Sequence, residues 1–119
     1  MKPALDPTAL DQLFRKAHTF NKFSDQPVGE QTIRELYELL KWGPTSMNAQ
    51  PGRYVFVHSA AARERLIPAM IAANAEKTRK APLTVVVAMD TQFHDHLPTQ
   101  FKAYDARPMF ADNAPLADA

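Results

Sequence analysis

A helical apolar segment that is stopped outright and followed at once by a strand restricts what a chain can fold into. The stretch Lys41–Phe56, KWGPTSMNAQPGRYVF, has this form. Gly43 accepts unusual backbone angles, and Pro44 lacks an N–H and restricts the residue before it, so a helix arriving here must end. The run Thr45, Ser46, Met47, Asn48, Ala49 and Gln50 then carries more side-chain donors and acceptors than a plain turn requires. It is either a loop that satisfies its own hydrogen bonds or a binding surface.

The flanking segments alternate between the two regular periods. Leu10, Leu13, Phe14 and Ala17 share one helical face, with Asp6 as N-cap and Pro7 at the first helical position, which predicts a helix over Pro7–His18. A second helix is predicted over Glu30–Trp42, with Ile33, Leu36, Tyr37 and Leu40 on one face. Arg53–His58 reads as a strand, and the continuous apolar run Leu83–Met89, LTVVVAM, reads as a strand covered on both faces. Between them Ser59 caps a helical stretch through Ile67, Pro68 bends it, and the polar segment ANAEKTRKA leads to Pro82. This order points to a layered domain of helices and strands, α/β or α+β. Beyond Asp90 the prolines at 98, 108 and 115 interrupt any sustained period. Two strands and about three helices leave the apolar faces little to close on. The 119 residues are therefore expected to be the N-terminal portion, 1–119, of one longer domain.

Several functions are excluded or disfavoured. Fourteen basic against thirteen acidic residues, scattered along the chain, give no electrostatic footprint for nucleic acid. No apolar run reaches the roughly 20 residues of a membrane helix. The N-terminus lacks a signal-peptide core, and there is no cysteine, which together suggest a cytoplasmic protein. With glycine only at 29, 43 and 52, neither a G-x-G-x-x-G motif nor a P-loop can be written. Ser46 precedes a strand instead of joining a strand to a helix, so hydrogen bonding to local backbone is favoured over a nucleophile. His94, Asp95 and His96, with Asp90 nearby, suggest metal ligands, but the set is short of a full coordination shell and a solvated loop is favoured. No metal is expected.

What remains is a set of neutral hydrogen-bonders with one or two cations. His18, Thr19 and Asn21 lie past the first helix, Asn74 and Lys77 are spaced for one helical face, and Thr45, Ser46, Asn48 and Gln50 occupy the central loop. Such residues suit a phosphate joined to a polyol and a heteroaromatic ring better than they suit acid–base chemistry, for which no paired carboxylates are present. A non-enzymatic partner-binding module and a metal-dependent hydrolase using His94 and His96 stand as the alternatives.

The segment KWGPTSMNAQPGRYVF resembles the P-S-S-x-N-x-Q-P segment of the FMN-dependent nitroreductase superfamily, and the order of the other motifs matches from about Leu13 to Asp90. The K-W-G-P-T-S-x-N form, the Ala-Pro-led strand and the segment Asp105–Arg107 most resemble the malonic semialdehyde reductase branch of pyrimidine (uracil) utilisation. The resemblance implies an α+β nitroreductase-like layered domain, with helices around a central sheet. It implies that His18, Thr19 and Asn21 approach the FMN phosphate and ribityl chain, while Asn74 and Lys77 meet the ribityl and ring. Pro44, Thr45, Ser46, Asn48 and Gln50 would be offered across a homodimer interface to the partner subunit's flavin. The implied reaction passes a hydride from NADH or NADPH through FMN to an acceptor, with no catalytic side chain of its own. The acceptor would be malonic semialdehyde, reduced to 3-hydroxypropionate, or else a nitroaromatic or quinone. Two departures are visible: Ala17, His18 and Thr19 stand where many members start with Arg-Arg-Ser, leaving Arg15 or Lys16 to assist the phosphate, and Gly52 follows Gln-Pro where an aromatic is common.

Overall fold

The computed structural model describes residues 3–111. Helix α1 (Pro7–Leu10) starts where the carboxylate of Asp6 accepts from the Thr8 N–H at 2.7 Å. It widens into a π-type turn, Asp11–Arg15, closed by Lys16 N donating to Asp11 O at 2.8 Å. The helix thus stops short of the expected His18. Its apolar residues Leu13 and Phe14 are exposed.

Helix α2 (Glu30–Leu40) begins after an extended Gly29 and ends as expected at the Gly-Pro step. Its last turn tightens, with Trp42 N donating to Leu39 O and Gly43 N to Leu40 O, which leaves Trp42 just outside the helix. Strand β1 (Gly52–Val57) pairs antiparallel with β2 (Thr84–Met89) in the register Gly52↔Met89 through Val57↔Thr84. Between the strands run α3 (Ala60–Leu66), a 3₁₀ turn at Ile67–Ala69 where Pro68 sits, and α4 (Ala72–Lys80). Ser59 caps α3 by accepting from Ala62 N at 3.2 Å. Arg79 of α4 reaches Glu64 of α3 at 2.7 Å. Helices dominate and the sheet has two strands, an α+β arrangement.

One expectation is corrected here. The run Leu83–Met89 is not covered on both faces: no residue of β2 is buried, and Val87 is 71% exposed. A two-stranded ribbon gives each strand one neighbour, and α2 covers only part of one face, through the edge-on pair Tyr37–Tyr54 at 6.4 Å.

The segment 91–111 is also more ordered than its pattern suggests, while Pro115 lies outside the described residues. A 3₁₀ turn (Phe93–His96) runs into α5 (Leu97–Gln100), and α6 (Arg107–Ala111) follows. Phe93, Leu97 and Ala106 are buried with Ala49, and Met47, Phe101 and Phe110 pack against them. This corner is the principal core. Elsewhere the chain is open: its radius of gyration is 18.4 Å, against roughly 13–14 Å for a compact chain of this length. No helix among the described residues is long and apolar enough to cross a membrane.

Candidate functional site

The loop after the Gly-Pro step has an unusual backbone. Thr45 is extended, Ser46–Asn48 forms a 3₁₀ turn, and Met47, Asn48 and Gln50 have φ of 50°, 52° and 48°. Asn tolerates this left-handed region, but Met and Gln pay roughly 1–2 kcal/mol each to occupy it. Identifiable contacts offset that cost. The Met47 side chain packs on the core and Ala49 is buried in it. Gln50 N donates to Thr45 Oγ1 at 3.1 Å, Gln50 Nε2 to Asn48 Oδ1 at 2.8 Å, and Asn48 Nδ2 to the carbonyl of Gln100 at 3.0 Å. Of the two readings the sequence left open, a self-satisfied loop describes these side chains: Thr45, Asn48 and Gln50 are engaged with one another. Pro44 and Ser46 lie exposed in the same loop.

The second cluster forms where α4 meets the segment after α1. Lys77 Nζ donates to Asn21 Oδ1 at 2.7 Å, joining positions 56 apart in sequence. Asn74 lies one turn before Lys77 on α4, and both are half-buried. Asn21, Lys22, Phe23, Glu76, Lys77 and Lys80 line a cleft of about 350 Å³. Glu76 is the only carboxylate of that lining, and it is committed to Lys80 at 3.1 Å and Arg79 at 3.0 Å. The hydrogen bond from Lys80, then that from Arg79, holds its carboxyl below the ordinary carboxylate range. Three lysines against one occupied carboxylate leave the cleft positive.

Other expected residues stand apart. His18 turns back to its neighbours, with Nδ1 at 2.9 Å from Lys16 O and its ring 4.2 Å from that of Phe20. His18 and Thr19 are both exposed. Arg15 and Lys16 are paired with Asp11 at 3.2 and 2.6 Å. No hydrogen bond joins the 44–50 loop to the Lys77 cluster among the described residues. His94 and His96 face different acids, Asp95 at 3.4 Å and Asp90 at 3.5 Å, and no group of three or more potential metal ligands occurs among the described residues.

Two contributors escaped sequence reasoning. Gln100 holds the loop through its carbonyl and, with its amide oriented by the acceptors around it, donates to Ala49 O at 3.0 Å and Asn48 O at 3.3 Å. Arg53 donates to Gln50 O at 3.0 Å and to Asp90 at 2.6 Å, tying the loop's exit to the end of β2. The apolar spacing Phe93, Leu97, Phe101 could have revealed α5 as a packed turn. Nothing local marks Gln100.

A positive cleft lined by the Asn21 amide and the Lys77 ammonium suits a polar or anionic ligand, and pockets of about 300 Å³ and more are of ligand size. The chain is 53% identical over 109 residues to a protein of Ralstonia nicotianae that bears the provisional name NADH dehydrogenase/NAD(P)H nitroreductase. It is 51% identical over 110 residues to a protein of Xanthomonas oryzae with the same provisional name. Each alignment covers 92% of this chain and 56% of the relative, so the chain spans about half the length of the curated relatives it matches. The sequence pattern of the nitroreductase family matches residues 14–116, a span that takes in both clusters, and the chain belongs to that family.

Proposed function

We propose that this chain forms part of a cytoplasmic FMN-dependent NAD(P)H oxidoreductase that works as a homodimer. The observation that carries the cofactor reading is the Lys77–Asn21 pair at the mouth of a lysine-lined cleft, at the positions where the family resemblance places flavin contacts. FMN, when bound, takes a hydride from NADH or NADPH and returns it to the acceptor. The chain's own residues do the holding. Lys77 offers an ammonium whose direction is fixed by Asn21, and Asn74 adds an amide on the same helix; His18 and Thr19, exposed and outside the cleft lining, would have to turn toward the phosphate when FMN binds. Pro44, Thr45, Ser46, Asn48 and Gln50 would be offered to the flavin of the partner subunit, with Thr45, Asn48 and Gln50 keeping the hydrogen bonds that shape the loop while their exposed edges meet the ligand. The acceptor we favour is malonic semialdehyde, reduced to 3-hydroxypropionate. Reduction of a nitro compound is the second reading, favoured by the relatives' names; a quinone acceptor would use the same surface.

The test is a titration of the purified chain with FMN, followed by flavin fluorescence and gel filtration. Lys77→Ala should weaken binding at least fivefold, because it removes a cation and leaves Asn21 unpartnered. Unchanged affinity in that variant would remove the site assignment; an unaltered chain that retains no FMN would mean that contacts beyond these residues are required, and only a polypeptide of the relatives' full length that also retains none would remove the cofactor. Turnover of malonic semialdehyde against a nitroaromatic then separates the two acceptors.

A further inference from the structure

We infer that Gln100 is a positioning residue, holding the 47–50 loop in its left-handed shape so that the loop can lie flat against the flavin. The inference deepens the flavin reading and rests on it for the identity of the ligand. Three residues other than glycine with positive φ within four positions do not persist without external support. The hydrogen bonds inside the loop satisfy Thr45, Asn48 and Gln50 but leave the carbonyls of Asn48 and Ala49 to be met from outside. The end of the Gln100 side chain lies at 3.0 Å from Ala49 O and 3.3 Å from Asn48 O, and the acceptors there assign its amide nitrogen to that side, while its backbone carbonyl receives Asn48 Nδ2 at 3.0 Å. This is a two-way clasp between positions 52 apart.

The clasp is itself held in place. Gln100 ends α5 one turn after Leu97, whose side chain is 1% exposed and is therefore fixed by packing on every side. Phe101 N donates to Leu97 O at 2.8 Å, so the turn that carries Gln100 cannot rotate independently of the core. Ala49, the residue whose carbonyl Gln100 holds, belongs to that same core. The buried corner thus holds the loop through the packing of Met47 and Ala49, and Gln100 adds the polar link that fixes the carbonyls of Asn48 and Ala49.

Gln100→Met tests this, because it keeps the side chain's length and volume and removes its donor. Amide hydrogen exchange by NMR is read at Asn48, Ala49 and Gln50, with Phe101 N–H as the internal reference for the corner. The expected result is exchange roughly fivefold faster at the three loop amides, unchanged exchange at Phe101, and FMN binding roughly fivefold weaker. Unchanged loop exchange overturns the clasp. A rise spread equally to Phe101 overturns it too, since Gln100 would then be packing material. A loosened loop with unaltered FMN affinity overturns the positioning role. If the unaltered chain takes up no FMN, the FMN measurement is made on a polypeptide of the relatives' full length; absence of FMN there removes the cofactor reading, and the exchange measurement decides by itself whether Gln100 holds the loop.

Discussion

The corner formed by Ala49, Phe93, Leu97 and Ala106 and the side of the molecule formed by α2 and the sheet reverse what their sequences suggest. The corner comes from a stretch broken by prolines, with no sustained period, yet it contains the most deeply buried side chains of the chain. Helix α2 has a well-formed apolar stripe, yet Leu36 is 48% exposed, Leu39 76% and the adjoining Trp42 80%. Ile33, Tyr37, Leu39 and Trp42, with Phe56 of β1, share an open groove of about 1,010 Å³ with the charged residues Glu30, Arg34, Glu35 and Glu38. Periodicity shows that a helix has an apolar face. It does not show that the same chain covers it. Among the described residues, nothing covers that part of the α2 side.

The largest effect that could break this comparison is a truncation in each region. Leu97→Ala should cost about 3 kcal/mol in urea unfolding, within the usual range for a buried leucine, because the packed corner cannot collapse around the gap. Leu39→Ala should cost less than about 0.5 kcal/mol, since its side chain is already in water. Equal costs would mean that the α2 face is covered in solution and that the corner is not the principal core.

These two regions also mark what could be read from the sequence. The end of α2 at Gly43-Pro44, the caps Asp6 and Ser59, the bend at Pro68 and both strands follow from local rules, and local rules are visible in a single chain. Lys77 and Asn74 were legible as one helical face for the same reason. The partner of Lys77, Asn21, lies 56 positions away, and Gln100 lies 52 from Asn48; such contacts leave no periodic trace. The left-handed backbone at Met47 and Gln50 was hidden for a related reason. Neither residue prefers it, and tertiary contacts impose it. The exposure of β2 was missed because a continuous apolar run signals capacity for burial on both faces, whereas the actual burial depends on elements packed from elsewhere.

A smaller effect sharpens the comparison at the surface. Leu39→Lys combined with Trp42→Lys removes the two most exposed large apolar side chains of the α2 region. Binding of an apolar dye such as ANS should fall to about half or less, while the urea midpoint hardly moves. Dye binding that stays constant would place the open apolar surface elsewhere, on β2 or around α1.

The smallest effect concerns the link between the two regions. Arg53 of β1 meets Asp90 at 2.6 Å, and Asp90 N donates to Pro51 O at 2.8 Å, so this carboxylate joins the sheet's end to the start of the corner. The N–H of Gln92, then the nearby charges of Arg53 and His96, holds the Asp90 carboxyl below its ordinary value of 3.8. A lowered value means that folding favours the ionised form. The resulting stability is fully present above pH 3.8 and is lost as the pH falls through the lowered value. Asp90→Asn should therefore lower the thermal midpoint slightly at pH 7 and flatten its fall on acidification, with a change smaller than that of either comparison above, because both partners are partly exposed. If the variant's acid profile matches that of the unaltered chain, the link carries no charge-dependent stability and the corner and the sheet are joined by backbone alone. If it flattens, part of the chain's acid sensitivity is assigned to this one carboxylate, which joins the loop's exit to the start of the corner.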